Sequence, residues 1–208
     1  EPENSIKSRK ELYLLPILLD SEGDHGLVYA IAQAFHARSK TTLILHVEQR
    51  LSEIDPRSSS FYSEDNEPST LKSLLAEELT DAKDPPQLCL IPVTNAHNPH
   101  LVQYGQVLMF VPSNMQAIMR AYSRIKKWAL AGVVMIVGVA MIDAPNHDSA
   151  RKHFDKLAEG VSLFLDWQIG YMGCLLAHDN RSTRNPNKVL LSTIGDRLNI
   201  EGAYDVVD

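Results

Sequence analysis

The sequence predicts an α/β fold with three layers, in which a mostly parallel sheet carries helices on both faces. Short apolar runs alternate along the chain with amphipathic stretches of helical period, as strands and crossover helices do in such folds. The strand-like runs are apolar throughout, which is typical of parallel strands buried on both faces. With 208 residues, 44% of them hydrophobic, the chain is long enough for one such domain.

The opening of the chain predicts a strand, a helix and a second strand. Tyr13 to Leu19 is a compact apolar run, and Leu27 to Arg38 repeats apolar residues at helical spacing. Thr41 to Val47 is rich in Thr, Leu, Ile and Val, several of which favour strands. Because the connections are short, these elements predict a βαβ unit with a parallel strand pair and a right-handed crossover.

The rest of the chain continues the alternation of strands and helices. Further strands are predicted at Leu88 to Val93, Val107 to Val111, Val133 to Ile142 and Ile169 to Leu176. Helices are predicted at Thr70 to Leu79, Pro112 to Trp128 and Ser149 to Phe164. The residues of the last two helices expected to face the core are Ile118, Met119, Tyr122, Ile125, Phe154, Leu157, Val161 and Phe164.

One domain is expected over residues 11–188, with a flexible N-terminus at 1–10 and a C-terminal helix and tail at 189–208. Residues 52–69 are polar and contain few apolar anchors, which predicts a mobile surface loop. Val189 to Ile200 has the spacing of a short amphipathic helix. Its flanks are as acidic as basic, so we expect it to pack against the domain, with peripheral membrane association as the alternative.

Charge and composition narrow the classes of partner and compartment. The net charge of −6 and the absence of a long Lys/Arg run argue against nucleic acid as a partner. Ala129 to Ala140 is apolar but too short for the roughly 20 residues that cross a bilayer, and the polar stretch Glu1 to Arg9 predicts no signal peptide. Cys89 and Cys174 lie in apolar runs, which favours reduced core residues and a cytoplasmic location.

Three stretches carry a family resemblance. Ile31 to Leu45 is similar to LAxALAxxGKxVLLID, and Val107 to Tyr122 to VLVVTTPEPTSITDAY. Ala150 to Asp179 is similar to AxxxFxxLxxxxxxFLxxxxxYLGxIPxD, with matches at Phe154 and Gly173 among others. The chain thus resembles the MinD/ParA family of SIMIBI-class P-loop ATPases, and within it the FlhG/FleN branch that regulates flagellar number. The resemblance implies a shortened P-loop NTPase fold, which is Rossmann-like in architecture.

The phosphate-binding loop is where the chain departs from that family. The family loop reads KGGVGKTT; its amides and Lys bind phosphates and its Thr binds magnesium. Aligned through the following helix, this chain has Leu19 at the additional Lys, Asp24 at the phosphate-binding Lys and His25 at the Thr. The degenerate positions are Asp20, Ser21, Glu22, Gly23, Asp24 and His25, of which only Gly23 matches.

The added carboxylates of Asp20, Glu22 and Asp24 would repel a triphosphate. The strand-ending Asp of the family's second metal position also lacks a counterpart, and its strand is expected to be deleted after Leu88 to Pro92. The resemblance with these departures implies a pseudo-ATPase with no catalytic residue, no cofactor and no metal. Asp20 to Asp24 then serves either as a solvated helix cap or as a contact for a partner.

Other residue groups have alternative interpretations. His97, His100, Asp143, His147 and Asp148 could supply metal ligands, but no ligand set is complete, so polar loops are favoured. Cys89 and Cys174 are interpreted as packed residues rather than nucleophiles, since an apolar strand disfavours a thiolate. The methionines at helical and strand positions are assigned to the core rather than to an adaptable interface, namely Met109, Met115, Met119 and Met135.

These observations lead to three functional hypotheses. The first is a non-catalytic protein-interaction module that scaffolds, localises or regulates a bacterial surface machine: a flagellum, a pilus, or an exopolysaccharide (cellulose) secretion system. Its partners would be proteins, including itself or an active MinD/ParA-like relative as a dimer, and a partner would recruit it to the inner membrane. The alternative is a nucleotide-binding switch or ATPase with a divergent phosphate loop. The third is a small-molecule binder at the carboxyl edge of the sheet, formed by Asp20 to His25, Thr94 to His97 and Ser113 to Gln116.

Overall fold

The computed structural model describes residues 12–19, 25–36, 41–46, 86–94 and 105–177. Within these ranges the elements are β1 (Tyr13–Leu18), α1 (His25–His36), β2 (Thr42–Ile44), β3 (Leu88–Val93), β4 (Gln106–Pro112), α2 (Met115–Leu130), β5 (Ile136–Ala144), α3 (His147–Leu165) and β6 (Ile169–Leu176). None of the described helices is both long enough and apolar enough to span a membrane.

The six strands form one parallel sheet in the order β2-β3-β1-β4-β5-β6. The chain leaves β1 toward one side of the sheet to make β2, whereas β4, β5 and β6 build outward on the other side. Since parallel crossovers are right-handed, a reversal of direction puts helices on opposite faces. The predicted three-layer α/β fold is therefore confirmed, with α1 on one face and α2 and α3 on the other.

Each face of the sheet has its own apolar core. Alternate residues of β1 point to opposite faces, so Leu14 and Leu18 belong to the core under α2 and α3, and Leu15 and Ile17 to the core under α1. The central strands are buried along almost their whole length. This burial on both sides explains why their sequences are continuously apolar.

Several element boundaries differ from the prediction, and two of them have clear local reasons. Helix α2 does not begin at Pro112, because this residue still pairs with Ile142 in the sheet and Asn114 caps the helix. Strand β5 begins at Ile136 rather than Val133, because the Val133 amide donates to the Trp128 carbonyl and closes the end of α2. In this turn Gly132 has φ +70, a conformation in which glycine avoids the steric cost of a Cβ.

The predicted inward faces of α2 and α3 are partly wrong. Met119 and Phe164 are 66% and 76% exposed, and Met115 is 49% exposed, so the core assignment of these residues fails. The buried residues of α2 are Ala117, Ile118, Ala121, Ile125 and Trp128, and this stripe turns Met119 away from the sheet. The inward-facing residues of α3 continue from Val161 to Leu165, which lies four residues, about one helical turn, further on. Phe164 therefore lies outside the core.

Other predictions are confirmed or lie outside the described residues. Met109 and Met135 are buried, and both cysteines are buried and form no disulfide. The flexible N-terminus at 1–10, the loop at 52–69, the helix Thr70 to Leu79 and the C-terminal segment 189–208 all fall outside the described ranges.

Candidate functional site

The carboxyl edge of the sheet is the first candidate region, since open α/β sheets bind ligands where the strand order reverses. That reversal lies between β1 and β4, which pair only at Ile17 with Leu108 and Leu18 with Met109. Strand β4 continues beyond this pairing and stays paired with β5 up to Pro112 and Ile142. The edge is therefore recessed at the end of β1.

The segment that follows β1 contains the degenerate loop positions. Leu19 is buried, and its amide donates to the Val93 carbonyl at 2.9 Å, which fixes the start of this segment beside β3. His25 is the first residue of α1, so Asp24 directly precedes the helix in the sequence. Asp20, Ser21, Glu22, Gly23 and Asp24 themselves lie outside the described residues.

The strands on either side of β1 end without a carboxylate. Strand β3 lies between β2 and β1 and ends at Val93, followed by Thr94. Strand β4 ends at Pro112, followed by Ser113 and Asn114. Neither end supplies the acidic side chain that a hard cation such as magnesium prefers.

Ser113 is joined to α3 by a side-chain hydrogen bond. Its Oγ lies 2.9 Å from Nδ1 of His153, and its amide donates to the Ile142 carbonyl at 2.8 Å. A hydroxyl and an imidazole at this distance are the components of a nucleophile and base pair. In this chain the pair also joins the β4–α2 turn to α3. The hydroxyl and the imidazole are therefore already hydrogen-bonded within the protein.

Helices α2 and α3, which start at this edge as α1 does, are capped by asparagine. The Asn114 side chain accepts from the Ala117 amide at 3.0 Å, and the Asn146 side chain accepts from the Ser149 amide at 2.7 Å. A side-chain acceptor at the N-cap satisfies an amide that the helix itself leaves unpaired. These two caps leave fewer backbone donors for an anion at the ends of α2 and α3.

A second polar cluster joins α3 to β6. Nδ1 of His147 lies 3.1 Å from Sγ of Cys174, and the side chains of Tyr171 and Cys174 are hydrogen-bonded. Burial, and then this hydrogen bond, raise the pKa of the Tyr171 hydroxyl far above its ordinary value. Sequence reasoning missed the contact between His147 and Cys174, because 27 residues separate the two side chains.

Tyr171 is also covered by side chains from α3. The Phe154 ring centroid lies 4.9 Å from that of Tyr171, and the Arg151 guanidinium lies 5.1 Å from the Tyr171 centroid. Arg151 donates to Asp155 at 2.9 Å, so its charge is balanced on the same helix. This exposed pair contributes little stability and mainly orients Arg151 over the aromatic rings.

The candidate metal ligands that the structure describes do not form a metal-binding group. Among the described residues, no group of three or more His, Cys, Asp and Glu side chains could hold a metal ion. His147 contacts Cys174, while His97 and His100 lie outside the described ranges. Asp143 is exposed at the end of β5 and has a left-handed backbone with φ 55.

The second candidate region, which we call the helix groove, lies between the outer sides of α2 and α3. It has a volume of about 320 Å³ and is lined by Ile118, Met119, Tyr122, Ser123, Lys156, Leu157, Gly160 and Phe164. Its lining is mostly apolar, in contrast to the carboxyl edge. Sequence periodicity missed this region because it assigned Met119 and Phe164 to the core.

Comparisons with known proteins bear on the fold. No family model matches the chain, and no curated protein sequence matches it. The structure is similar to a plasmid partition protein from Borrelia burgdorferi, with a TM-score of 0.55, 11% identity, and coverage of 90% of this chain and 100% of the other.

Two further solved structures have the same architecture. MinD in the MinC:MinD cell division complex of Aquifex aeolicus gives a TM-score of 0.55 at 10% identity, covering 94% of this chain and 98% of the other. A plasmid partition protein from Borrelia burgdorferi B31 bound to AMPPNP gives 0.54 at 10% identity, covering 92% and 98%. The chain therefore has the α/β fold of MinD and of plasmid partition proteins.

Proposed function

We propose that this chain is a protein-interaction module that has the MinD-like fold but neither binds nor hydrolyses nucleotide. It scaffolds, localises or regulates a bacterial surface machine, either a flagellum, a pilus or an exopolysaccharide (cellulose) secretion system. The choice among these machines follows from the breadth of the family that the sequence resembles. A protein partner recruits the module to the inner membrane.

The observation that carries the proposal is the composition of the segment between β1 and α1. It places Asp24 directly before α1, where the resembled family has its phosphate-binding lysine, and adds the carboxylates of Asp20 and Glu22. A carboxylate in place of an ammonium group changes attraction to repulsion for a triphosphate. The strand ends beside β1, at Val93 and Pro112, contribute no acidic ligand that would hold magnesium.

The helix groove supports a role in protein binding. Apolar side chains such as Met119 and Phe164 are exposed there, and concave apolar surfaces of this kind mark binding sites. MinD, whose fold this chain has, is found in a complex with the protein MinC. By analogy we propose that this chain binds protein partners. The candidate partners include a second copy of the chain or an active MinD/ParA-like relative, with which it would form a dimer.

Isothermal titration with ATP and magnesium tests the loss of nucleotide binding. We expect no detectable heat at millimolar nucleotide, because the Asp20 to Asp24 segment repels phosphate. The matched variant is Asp24→Lys with His25→Thr, which restores the phosphate-binding lysine and the magnesium-binding threonine of the resembled family. If the natural protein binds ATP with micromolar affinity, the proposed loss of nucleotide binding is wrong.

The second candidate function is a nucleotide-binding switch or ATPase with a divergent phosphate loop. The specific observation in its favour is that one protein of the same fold is bound to AMPPNP. This function requires cations to offset Asp24, supplied by a partner. Repeating the titration in the presence of a purified partner distinguishes it, since binding would then appear only in the complex.

A further inference from the structure

We propose that the helix groove binds an acidic amphipathic helix supplied by a different protein. The inference rests on the proposed interaction function and names the class of partner. It is carried by three features of the described residues: the glycine in the floor of the groove, the exposed apolar side chains along it, and the basic charge of α2.

Gly160 opens the groove. A Cβ placed at this position would lie 3.7 Å from the nearest atom of Tyr122, an ordinary contact, and its φ is not positive. The fold therefore does not require glycine here, although glycine inside a helix costs about 1 kcal/mol relative to alanine. Because glycine has no side chain, it leaves space between Tyr122 and Phe164 for a side chain of a partner.

Apolar groups line this space, and two of the largest are exposed. Met119 and Phe164 are largely exposed, and Leu157 and Ile118 form a buried floor between them. Amphipathic helices bind such grooves through anchors at i, i+3, i+4 and i+7. Methionine adapts its shape to an incoming side chain, which suits Met119 to this role.

The positive charge around the groove favours a partner with acidic side chains. The two helices that form the groove together carry seven basic and three acidic residues, whereas the whole chain has a net charge of −6. Lys156 lines the groove directly, and Lys126 lies one helical turn beyond Tyr122 on the same side of α2. Carboxylates flanking the anchors of a partner helix would therefore be attracted.

The same charges disfavour a second copy of this chain. Two copies that met symmetrically through the groove would bring together two faces of net positive charge, and like charges across an interface are unfavourable. A lipid surface is also less suitable, because it would not fill a groove between two helices. An acidic helix from another protein would fit both the shape of the groove and its positive charge.

Selection from a displayed peptide library tests the proposal. The library consists of helices of about 16 residues, since shorter isolated helices are marginal, with apolar residues at i, i+3, i+4 and i+7 and Glu, Gln or Lys at the flanks. We expect binders enriched in Glu at the flanks. Failure to enrich any binder, or enrichment of Lys at the flanks, overturns the proposal.

Variants then locate the binding site of a selected peptide. Gly160→Leu, which fills the floor, and Lys156→Glu should each weaken binding about tenfold, as expected for residues at the centre of an interface. Phe164→Ala should also weaken it. The matched controls are Leu163→Ala and Lys152→Glu, which change neighbouring exposed residues of α3 that do not line the groove. Equal loss in the controls contradicts the assigned site.

Two further measurements separate this inference from the proposed function. Analytical ultracentrifugation of the chain alone tests the second-copy alternative, and a dimer abolished by Gly160→Leu would overturn the proposal. Co-sedimentation with vesicles of anionic lipid tests the membrane alternative in the same way. If no helix binds the groove and ATP does not bind the chain, the proposed function still holds, with partners binding another surface. If ATP does bind, the proposed function is wrong whatever the groove binds.

Discussion

The carboxyl edge of the sheet and the helix groove differ in how their exposed groups are satisfied. At the edge, Ser113 bonds to His153, Asn114 and Asn146 cap helices, and His147 contacts Cys174. In the groove, large apolar side chains remain exposed. A polar group paired within the protein gains little from a new ligand, whereas exposed apolar surface gains from being covered.

Among the described residues, binding free energy is therefore available in the helix groove rather than at the carboxyl edge. The described part of the edge that binds ligands in many α/β folds is occupied by its own hydrogen bonds. The outer side of two helices, usually a solvated surface, is left apolar and concave. The following predictions test this difference, beginning with the largest expected effect.

Truncations on the two sides of α2 should differ most. Ile125 is fully buried against the sheet, so Ile125→Ala should lower the free energy of unfolding by about 2–5 kcal/mol. Met119→Ala, on the exposed side of the same helix, should change it by less than about 0.5 kcal/mol. Urea denaturation measures both. A large loss for Met119→Ala would mean that the groove belongs to the core.

The polar groups of the edge should prove structural. Asn114→Ala removes the acceptor for the Ala117 amide and should lower the free energy of unfolding by about 1 kcal/mol. Asn114→Asp is the control, because a carboxylate keeps the cap and should retain most of the stability. Thermal denaturation followed by circular dichroism gives the comparison. An unchanged stability in Asn114→Ala would show that the cap is dispensable.

Replacing the groove glycine should stabilise the fold. Gly160→Ala adds a methyl group at an ordinary contact distance from Tyr122 and should raise the free energy of unfolding by about 0.5–1 kcal/mol. Gly132→Ala is the contrasting variant, since φ +70 at that residue makes a Cβ unfavourable. Destabilisation by Gly160→Ala would indicate that the helix needs glycine there, which removes one support for the groove.

The smallest expected effect is a change in the alkaline pH dependence of stability. The pKa of Tyr171 is raised in the folded state above its ordinary value of 10.0, through burial first and then through Cys174. The neutral hydroxyl therefore stabilises the fold below about pH 10, and this contribution is lost as the pH rises through the folded pKa. Above about pH 10, the wild type should lose stability more steeply than Tyr171→Phe. Parallel slopes in chemical denaturation would contradict the assignment.

The sequence predicted the strands well because burial on both faces leaves a continuous apolar run. Leu88–Val93 and Ile169–Leu176 were predicted at the bounds that the structure has. Two other boundaries were less accurate. Pro112 pairs with Ile142 in the sheet instead of starting α2, and the Val133 amide donates to the Trp128 carbonyl instead of starting β5. The degenerate loop at Asp20 to Asp24 stays a prediction, because it lies outside the described residues.

By itself, the sequence determined the elements and the three-layer class of this protein, because hydrophobic period is a local property of the chain. Only the tertiary structure decided that β3 lies between β2 and β1, that His147 meets Cys174, and that Phe164 is outside the core. These outcomes depend on which elements pack side by side. An apolar residue at helical spacing is buried only where a neighbouring element covers it, and no described element covers the outer side of α2 and α3 at Met119 and Phe164.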